Sequence, residues 1–430
     1  MEPIKVVFLG LYFEAWDALD EIYQKMAKDP RFDPIVVSMP RKLTGQLAYA
    51  QEDKSHAFFE GRDIPHIRLN TGGSGSENQD GLAILRDLAP DYVFVNYPWQ
   101  RNYQPAVRFD RLAEFTRLAY VPYFSLVMVD EPDDEPGGGQ VGSLVATHIY
   151  KQRIHQLASL VFTQDKNVLD AYAKTERGNS HVHFLGSPKI DSLRKEALEG
   201  KASWPIAGNG YRVVWAPHHS YSPHWLNFGV FPKVKDQMLD FAKANPDIQI
   251  VLRPHPFLWG TLTDRKVISE QELNSWRDQW DELANTSVDE DGSYAELFLA
   301  TDILVTDGIS FLGEYPLIAG KPTIFFEKED HWVFTATGEL AANASVRVKT
   351  FAELEKAIHD SRANGVPDRS AEIQKLVEAS SPYPGESAAK IIEQVIKDFA
   401  GPEGLSPLVD KSQIQEVAWE FVAGREPFVD

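Results

Sequence analysis

Ile4-Lys5-Val6-Val7-Phe8-Leu9-Gly10 and Phe32-Asp33-Pro34-Ile35-Val36-Val37-Ser38 are two apolar runs, and between them Trp16 to Lys28 carries Leu19, Ile22, Tyr23 and Met26 at helical spacing. The runs do not alternate apolar with polar, so they read as strands covered on both faces, as parallel strands are. Asp29-Pro30 stops the helix, because proline cannot continue it. Strand, helix, strand in this order is the unit of an α/β sheet with right-handed crossovers.

The same alternation continues outward from this unit. Strands are expected at Ile64–Leu69, Tyr92–Asn96, Ala119–Phe124, Leu160–Thr163 and His181–Leu185, and helices at Gly81–Leu88, Leu112–Thr116 and His148–Leu157. Around Lys195 to Gly210 the pattern lapses into Gly, Ala, Ser, Pro and Asn, the composition of a linker. A second α/β series then starts. Its strands are Arg212–Ala216, Ile248–Arg253, Ile303–Thr306 and Pro322–Phe326. Helices are expected at Phe231–Ala244, Ser275–Leu283, Tyr294–Leu299, Phe311–Ile318, Phe351–His359, Ser370–Ala379 and Ser387–Phe399. An amphipathic piece, Ser412–Val422, follows Gly401-Pro402-Glu403-Gly404. The expected organisation is therefore a Rossmann-like domain over 1–195, a linker over 196–210, a second Rossmann-like domain over 211–400 and a helical tail over 401–430. Two such domains facing a cleft are the outline of a GT-B type α/β architecture.

Composition narrows the function. The 430 residues are 43% hydrophobic and 25% charged, which is globular rather than disordered. The 43 basic and 63 acidic residues leave a formal net charge of −20. That disfavours nonspecific nucleic-acid binding, which depends on neutralising phosphates, and a basic helix lying on anionic lipid. No apolar run of about 18 residues is present, so no membrane span is expected. The start, Met1-Glu2-Pro3-Ile4-Lys5, has no basic n-region and no cleavage site. Cysteine is absent, which removes disulfides, thiolate nucleophiles and cysteine zinc sites. The acidic run Asp130, Glu131, Asp133, Asp134, Glu135 lies among prolines and glycines and reads as a solvated loop rather than a ligand shell. Gly10-Leu11-Tyr12-Phe13 stands where a dinucleotide fingerprint would be, and phosphate-loop and His-Glu-x-x-His motifs are missing.

Three strand ends in the second domain finish in polar residues: Pro217-His218-His219-Ser220, Arg253-Pro254-His255-Pro256 and Asp307-Gly308-Ile309-Ser310. Ligands of open α/β sheets bind beyond the carboxyl ends of the strands, so the three ends are expected to line one site. Gly308 and Ser310 precede a helix, whose first N–H groups attract an anion. Arg253 and His255 suit a diphosphate. As neighbours on a strand, His218 and His219 are expected to point opposite ways, with a third ligand lacking for a metal. Glu314 lies one turn after Ser310, placed to accept from ribose hydroxyls.

In this order, Ala216-Pro217-His218-His219-Ser220, Leu252-Arg253-Pro254-His255-Pro256, Thr306-Asp307-Gly308-Ile309-Ser310-Phe311 through Glu314-Tyr315, and Gly320-Lys321-Pro322 resemble the CDP-glycerol glycerophosphotransferase family. Leu185-Gly186-Ser187-Pro188-Lys189-Ile190-Asp191 looks like that family's Gly-x-Pro-x-x-Asp stretch. The resemblance implies a GT-B type enzyme that makes teichoic-acid-like polymers and uses no essential metal. It implies that Arg253, His255, Gly308 and Ser310 hold the donor pyrophosphate. With the residue readings, the candidate site has His255, His218 and His219 as catalytic residues, and Arg253, Asp307, Gly308, Ser310, Phe311 and Glu314 as nucleotide- or phosphate-binding residues. Two departures stand out. The family's paired serines are Ile309-Ser310 with Glu314 for the following Asp, and its first-domain Trp-His-Gly-Thr motif is replaced by Tyr120-Val121-Pro122-Tyr123-Phe124-Ser125. Asp130, Glu131, His218 and His219 are the remaining candidates for the base.

The expected reaction moves a glycerol-phosphate or related group from a CDP-activated donor to a cell-surface glycan or polyol-phosphate acceptor. The partners are a CDP- or UDP-activated donor and a glycan or lipid-linked acceptor, with no nucleic acid and no cofactor. The expected location is the cytoplasm, or the inner face of the membrane by peripheral attachment. Alternatives are a nucleotide-sugar glycosyltransferase or epimerase of the same architecture, and a non-catalytic nucleotide-binding protein.

Overall fold

The computed structural model describes residues 2–42, 49, 52–69, 79–129, 152–175, 177–222, 226–290, 294–400, 405–410 and 414. The acidic run 130–135, the Gly72–Ser76 loop and, apart from residue 414, the expected Ser412–Val422 helix lie outside the described residues. Two compact units divide the chain. Unit 1 comprises 1–124, 136–189 and 381–430; unit 2 comprises 125–135 and 190–380.

Among the described residues, unit 1 holds a seven-stranded sheet in the order β3-β2-β1-β4-β5-β6-β7. The strands are β1 (Ile4–Gly10), β2 (Phe32–Ser38), β3 (His66–Arg68), β4 (Tyr92–Val95), β5 (Arg117–Tyr120), β6 (Leu160–Thr163) and β7 (Val182–Phe184). All pairings are parallel, with Ile4 opposite Phe32 and Gly10 opposite Ser38. The buried runs read from the sequence form the centre, where Val6, Val7, Phe8, Phe94 and Leu118 have no exposure. The helix Asp17–Ala27 covers one face through Leu19, Ile22 and Met26. The late helix Ser387–Ala400 joins the same core through Ala388, Ile391, Ile392 and Val395.

Unit 2 repeats this topology with β8 (Tyr211–Ala216), β9 (Ile248–Leu252), β10 (Thr286–Val288), β11 (Ile303–Thr306), β12 (Thr323–Phe326) and β13 (Val346–Val348) in the parallel order β10-β9-β8-β11-β12-β13. Its core is aromatic: Trp215 stacks on Phe231 at 5.3 Å and Trp276 on Trp280 at 5.2 Å. A second stretch of chain completes it. Met128 O accepts from Thr335 N–H at 3.0 Å, Val127 O accepts from the Thr335 hydroxyl at 2.7 Å, and Val129 bridges to Phe334. Gly338 and Gly313 make room for this strap: a Cβ on Gly338 would lie 2.0 Å from Met128 O, and one on Gly313 would lie 2.4 Å from Leu126 Cδ1.

Several expected boundaries move. The strand expected over Ala119–Phe124 stops at Tyr120, since Pro122 has no N–H to donate. The helix expected at Leu112–Thr116 is Phe109–Leu112. The helix Pro188–Glu199 runs into the segment read as a linker, and 201–210 follows within unit 2.

Candidate functional site

In unit 2 the first strand built, β8, has β9 on one side and β11 on the other, so the order of strands reverses at β8 and β11. That reversal opens a crevice at the carboxyl edge of such a sheet. Every histidine read as a site residue leaves the sheet there. The β8–β9 ladder continues past both strand ends, with Arg253 N–H donating to Trp215 O at 2.8 Å and His255 N–H to Pro217 O at 3.1 Å. His255 is thereby held beside His218 and His219.

The rings converge. His219 and His255 stack with centroids 4.0 Å apart, His218 and His219 are 4.7 Å apart, and His218 and His255 are 5.2 Å apart. The expectation that His218 and His219 diverge is corrected here. Alternation holds only inside a strand, and β8 ends at Ala216. The third ring is His255, which the sequence placed at the end of β9 but did not count as a third ligand beside the pair. The three could bring one ligand atom each within 4.8 Å of one another.

Ring chemistry decides what such a cluster offers. His218 Nδ1 faces Ser220 Oγ at 2.8 Å and accepts from Ser220 N–H at 3.3 Å, and His255 Nδ1 accepts from Phe257 N–H at 3.1 Å. A neutral imidazole that accepts at one nitrogen carries its hydrogen on the other. His218 and His255 therefore present Nε2–H donors, which suit phosphate oxygens, whereas a metal at Nε2 would require both Nδ1 contacts to be exchanged. Among the described residues neither nitrogen of His219 makes a hydrogen bond, so its ring can donate or accept. Burial pushes His218 and His255 well below the usual histidine range, reinforced by the neighbouring rings, and burial together with Arg265 brings His219 down to about 4. The three rings are neutral near pH 7.

Asp307 fixes the arrangement. It is 2% exposed; its Oδ1 accepts from His218 N–H and its Oδ2 from Val230 N–H, both at 2.6 Å. One carboxylate thus ties the β8 exit and the start of the Phe231–Ala244 helix to the end of β11. Burial lifts Asp307 to about 7 against the pull of these N–H groups. Gly308 is the N-cap of the helix Ile309–Ala319, and no side chain caps that end. A Cβ on Gly308 would sit 2.9 Å from His218 Cδ2, so glycine is what lets the imidazole approach. Ser310 lies inside the first turn and is exposed, not at the cap where the sequence placed it.

Other expected residues are engaged within the fold. Arg253 forms an ion pair with Asp289 at 2.8 Å and lies 5.8 Å from the Tyr294 ring centroid. Glu314 is 3% exposed, and its carboxylate accepts from the Ser125 and Tyr294 hydroxyls, both at 2.5 Å. The Phe311 ring packs on Tyr294 and Phe298, each at 4.9 Å. Asp289, Tyr294 and Ser125 were not read from the sequence. Only Asp289 carried a signal, as the first residue after β10, which is three residues long.

Two parallel α/β units with this topology define a GT-B type enzyme. The family described as CDP-Glycerol:Poly(glycerophosphate) glycerophosphotransferase matches residues 158–396, and the chain belongs to that family. It is accordingly a transferase of the glycerophosphotransferase type. Among solved structures it is similar to the UDP-GlcNAc 2-epimerase from Neisseria meningitidis bound to UDP-GlcNAc (14% identity, TM-score 0.60, 92% of this chain and 100% of that chain). It is also similar to the wall teichoic acid polymerase TagF, in one structure at 13% identity with a TM-score of 0.53, over 93% of this chain and 90% of that one. A second TagF structure, soaked with CDPG, gives 12% identity and a TM-score of 0.52 over the same shares of the two chains. No curated protein matches the chain by sequence. Among the described residues, no helix is long and apolar enough to cross a membrane.

Proposed function

We propose that the carboxyl edge of β8, β9 and β11 holds the diphosphate of a CDP-activated polyol, and that the enzyme transfers the polyol phosphate to an acceptor hydroxyl. The observation that carries this reading is the convergence of His218, His219 and His255 beside the helix end at Gly308, which no side chain caps. Two Nε2–H donors and the first-turn N–H groups give an anion directional donors beside the Arg253 charge. Family membership and the CDPG soaked into TagF support a cytidine donor.

In this mechanism the acceptor oxygen bonds to the β-phosphorus, the bond from that phosphorus to the bridging oxygen breaks, and CMP leaves. His219, with neither ring nitrogen hydrogen-bonded among the described residues, takes the acceptor proton. The arriving diphosphate raises its basicity, because a nearby negative charge favours the imidazolium. Arg253 adds positive charge at the β9 end and is itself balanced by Asp289. The reading assigns no step to a metal or cofactor.

The test is the nucleotide released on turnover with CDP-glycerol and a panel of acceptors. CMP supports phosphoryl transfer, whereas a nucleoside diphosphate from a nucleotide sugar supports glycosyl transfer. No binding of any cytidine or uridine diphosphate compound at millimolar concentration, by calorimetry, rules the site out. Activity that survives a chelator supports the metal-free reading, and its loss overturns it.

A further inference from the structure

Unit 1 has its own reversal of strand order, between β1 and β4, and aromatic residues stand at the carboxyl edge there. β1 leads into Tyr12, β4 into Tyr97 and β5 into Tyr123. The three rings form a cluster: Tyr12 and Tyr97 are 4.9 Å apart, Tyr12 and Tyr123 5.2 Å, and Tyr97 and Tyr123 5.5 Å. Tyr12 and Tyr123 are half-buried, and among the described residues neither of their hydroxyls makes a hydrogen bond. The backbone beneath is fixed. Asn96, 1% exposed, donates to Ala15 O at 3.0 Å, and Tyr123 N–H donates to Asn96 O at 3.1 Å. This is the region where the family's Trp-His-Gly-Thr motif is replaced, so the cluster is a feature of this chain's own sequence.

The charges around the rings cancel in pairs. Lys189 lies 3.8 Å from Asp17, and Arg41 is held by both carboxylate oxygens of Glu14. A chain bearing a phosphate on every unit is recognised by cations, most strongly where arginine forks are available to it. Here the two described cations beside the rings, Arg41 and Lys189, each already face a carboxylate. Aromatic faces with polar tips suit a different ligand, one with an apolar C–H face and hydroxyls at its rim, and they hold it with few rotors to freeze. A pyranose ring has that form.

We infer that the Tyr12–Tyr97–Tyr123 cluster is the acceptor subsite and takes a neutral glycosyl residue, not a polyol-phosphate chain. The inference rests on the transferase reading above, but its ligand contacts lie wholly in unit 1. The enzyme would then start or decorate a polymer on sugar rather than extend a phosphodiester chain.

The experiment is saturation-transfer NMR on the full chain, without donor, using a panel of neutral methyl pyranosides (gluco, galacto and manno, with their 2-acetamido forms) and a glycerol-phosphate trimer. Donor affinity is followed separately by calorimetry with CDP-glycerol. At least one pyranoside is expected to bind in preference to the trimer. Tyr12→Ala and Tyr123→Ala are expected to weaken it more than tenfold, and Tyr123→Phe, which keeps the ring, by severalfold, with CDP-glycerol affinity unchanged. Tyr12→Phe and Tyr123→Phe keep the test available if an alanine variant does not fold. Preferential binding of the trimer, binding of no pyranoside, or pyranoside binding indifferent to both phenylalanine and alanine changes overturns the inference. If pyranoside binds as described while no nucleotide binds, the donor reading fails and the subsite stands.

Discussion

Replacing Gly308 by alanine tests the histidine site through sterics alone. Gly308 has φ −107° and ψ 154°, extended backbone open to any residue, so the substitution carries no conformational cost. The added methyl would meet His218 Cδ2 at 2.9 Å, its Cβ at 3.0 Å and its Cγ at 3.2 Å, where ordinary contact begins near 3.4 Å. The imidazole must move by several tenths of an ångström. It is poorly able to do so, because the His218 backbone N–H is held by Asp307 at 2.6 Å, the ring Nδ1 by Ser220, and the backbone O accepts from the Tyr221 hydroxyl at 2.9 Å. Overpacking of this kind costs about 1–3 kcal/mol of stability. Misaiming one Nε2–H removes a hydrogen bond worth about 1–1.5 kcal/mol, or roughly tenfold in donor affinity. Gly320 supplies the opposite control. It has φ 66° and open space around its Cβ position, so Gly320→Ala is expected to cost about 1 kcal/mol through backbone strain and leave donor binding intact. Calorimetry with CDP-glycerol and urea unfolding on both variants separate the two effects. Wild-type donor affinity in a folded Gly308→Ala protein would refute the role given to His218.

Arg253→Ala is expected to weaken donor binding by one to two orders of magnitude; because it also strands Asp289, unfolding should shift as well, and an unchanged donor affinity by calorimetry would remove Arg253 from the site. His219→Gln should lower kcat for CMP release at least a hundredfold while donor affinity changes by less than threefold, and equal loss in both would make it a binding residue instead. Acid should destabilise the protein from about pH 6.5 downward: the site histidines are depressed below the unfolded value near 6.5, the unfolded chain binds more protons there, and stability falls by up to about 1.4 kcal/mol per pH unit for each ring, while Asp307, lifted to about 7, takes its proton first in the folded state and offsets one ring of the three. Bound CDP-glycerol favours the protonated rings and should flatten that fall, which thermal unfolding at pH 7 and pH 5, with and without donor, can read.

Much of this architecture was legible in the sequence because parallel strands buried on both faces leave continuous apolar runs, such as Val6-Val7-Phe8-Leu9 and Ile248 through Leu252. The carboxyl-edge clusters followed from the ends of those runs. What escaped had physical reasons. Thr286-Ser287-Val288 and Val346-Arg347-Val348 are three-residue strands at the sheet margins, too short for any period to register, and Asp289 was lost with the first. One partner of Glu314 is Ser125, 189 residues away, a separation no local pattern encodes. The convergence of His218 with His219 depends on where β8 stops, a boundary of one or two residues. The tyrosine cluster was hidden because Tyr120 to Phe124 was read as strand, although Pro122 ends the pairing.

The interleaving of the chain also orders its assembly in time. The strap Ser125–Val129 leaves the ribosome long before the slot formed by Phe334, Thr335 and Gly338, and the core around β1 lacks Ile391, Ile392 and Val395 until residues 387–400 have emerged. Domains generally fold as units, amino-terminal first, as they are synthesised. Here the amino-terminal unit receives its last core helix after the carboxyl-terminal unit has been made. A nascent chain with residues 1–380 free of the ribosome would hold unit 2 complete and unit 1 with apolar surface uncovered, so the unit that begins first is the one that must wait.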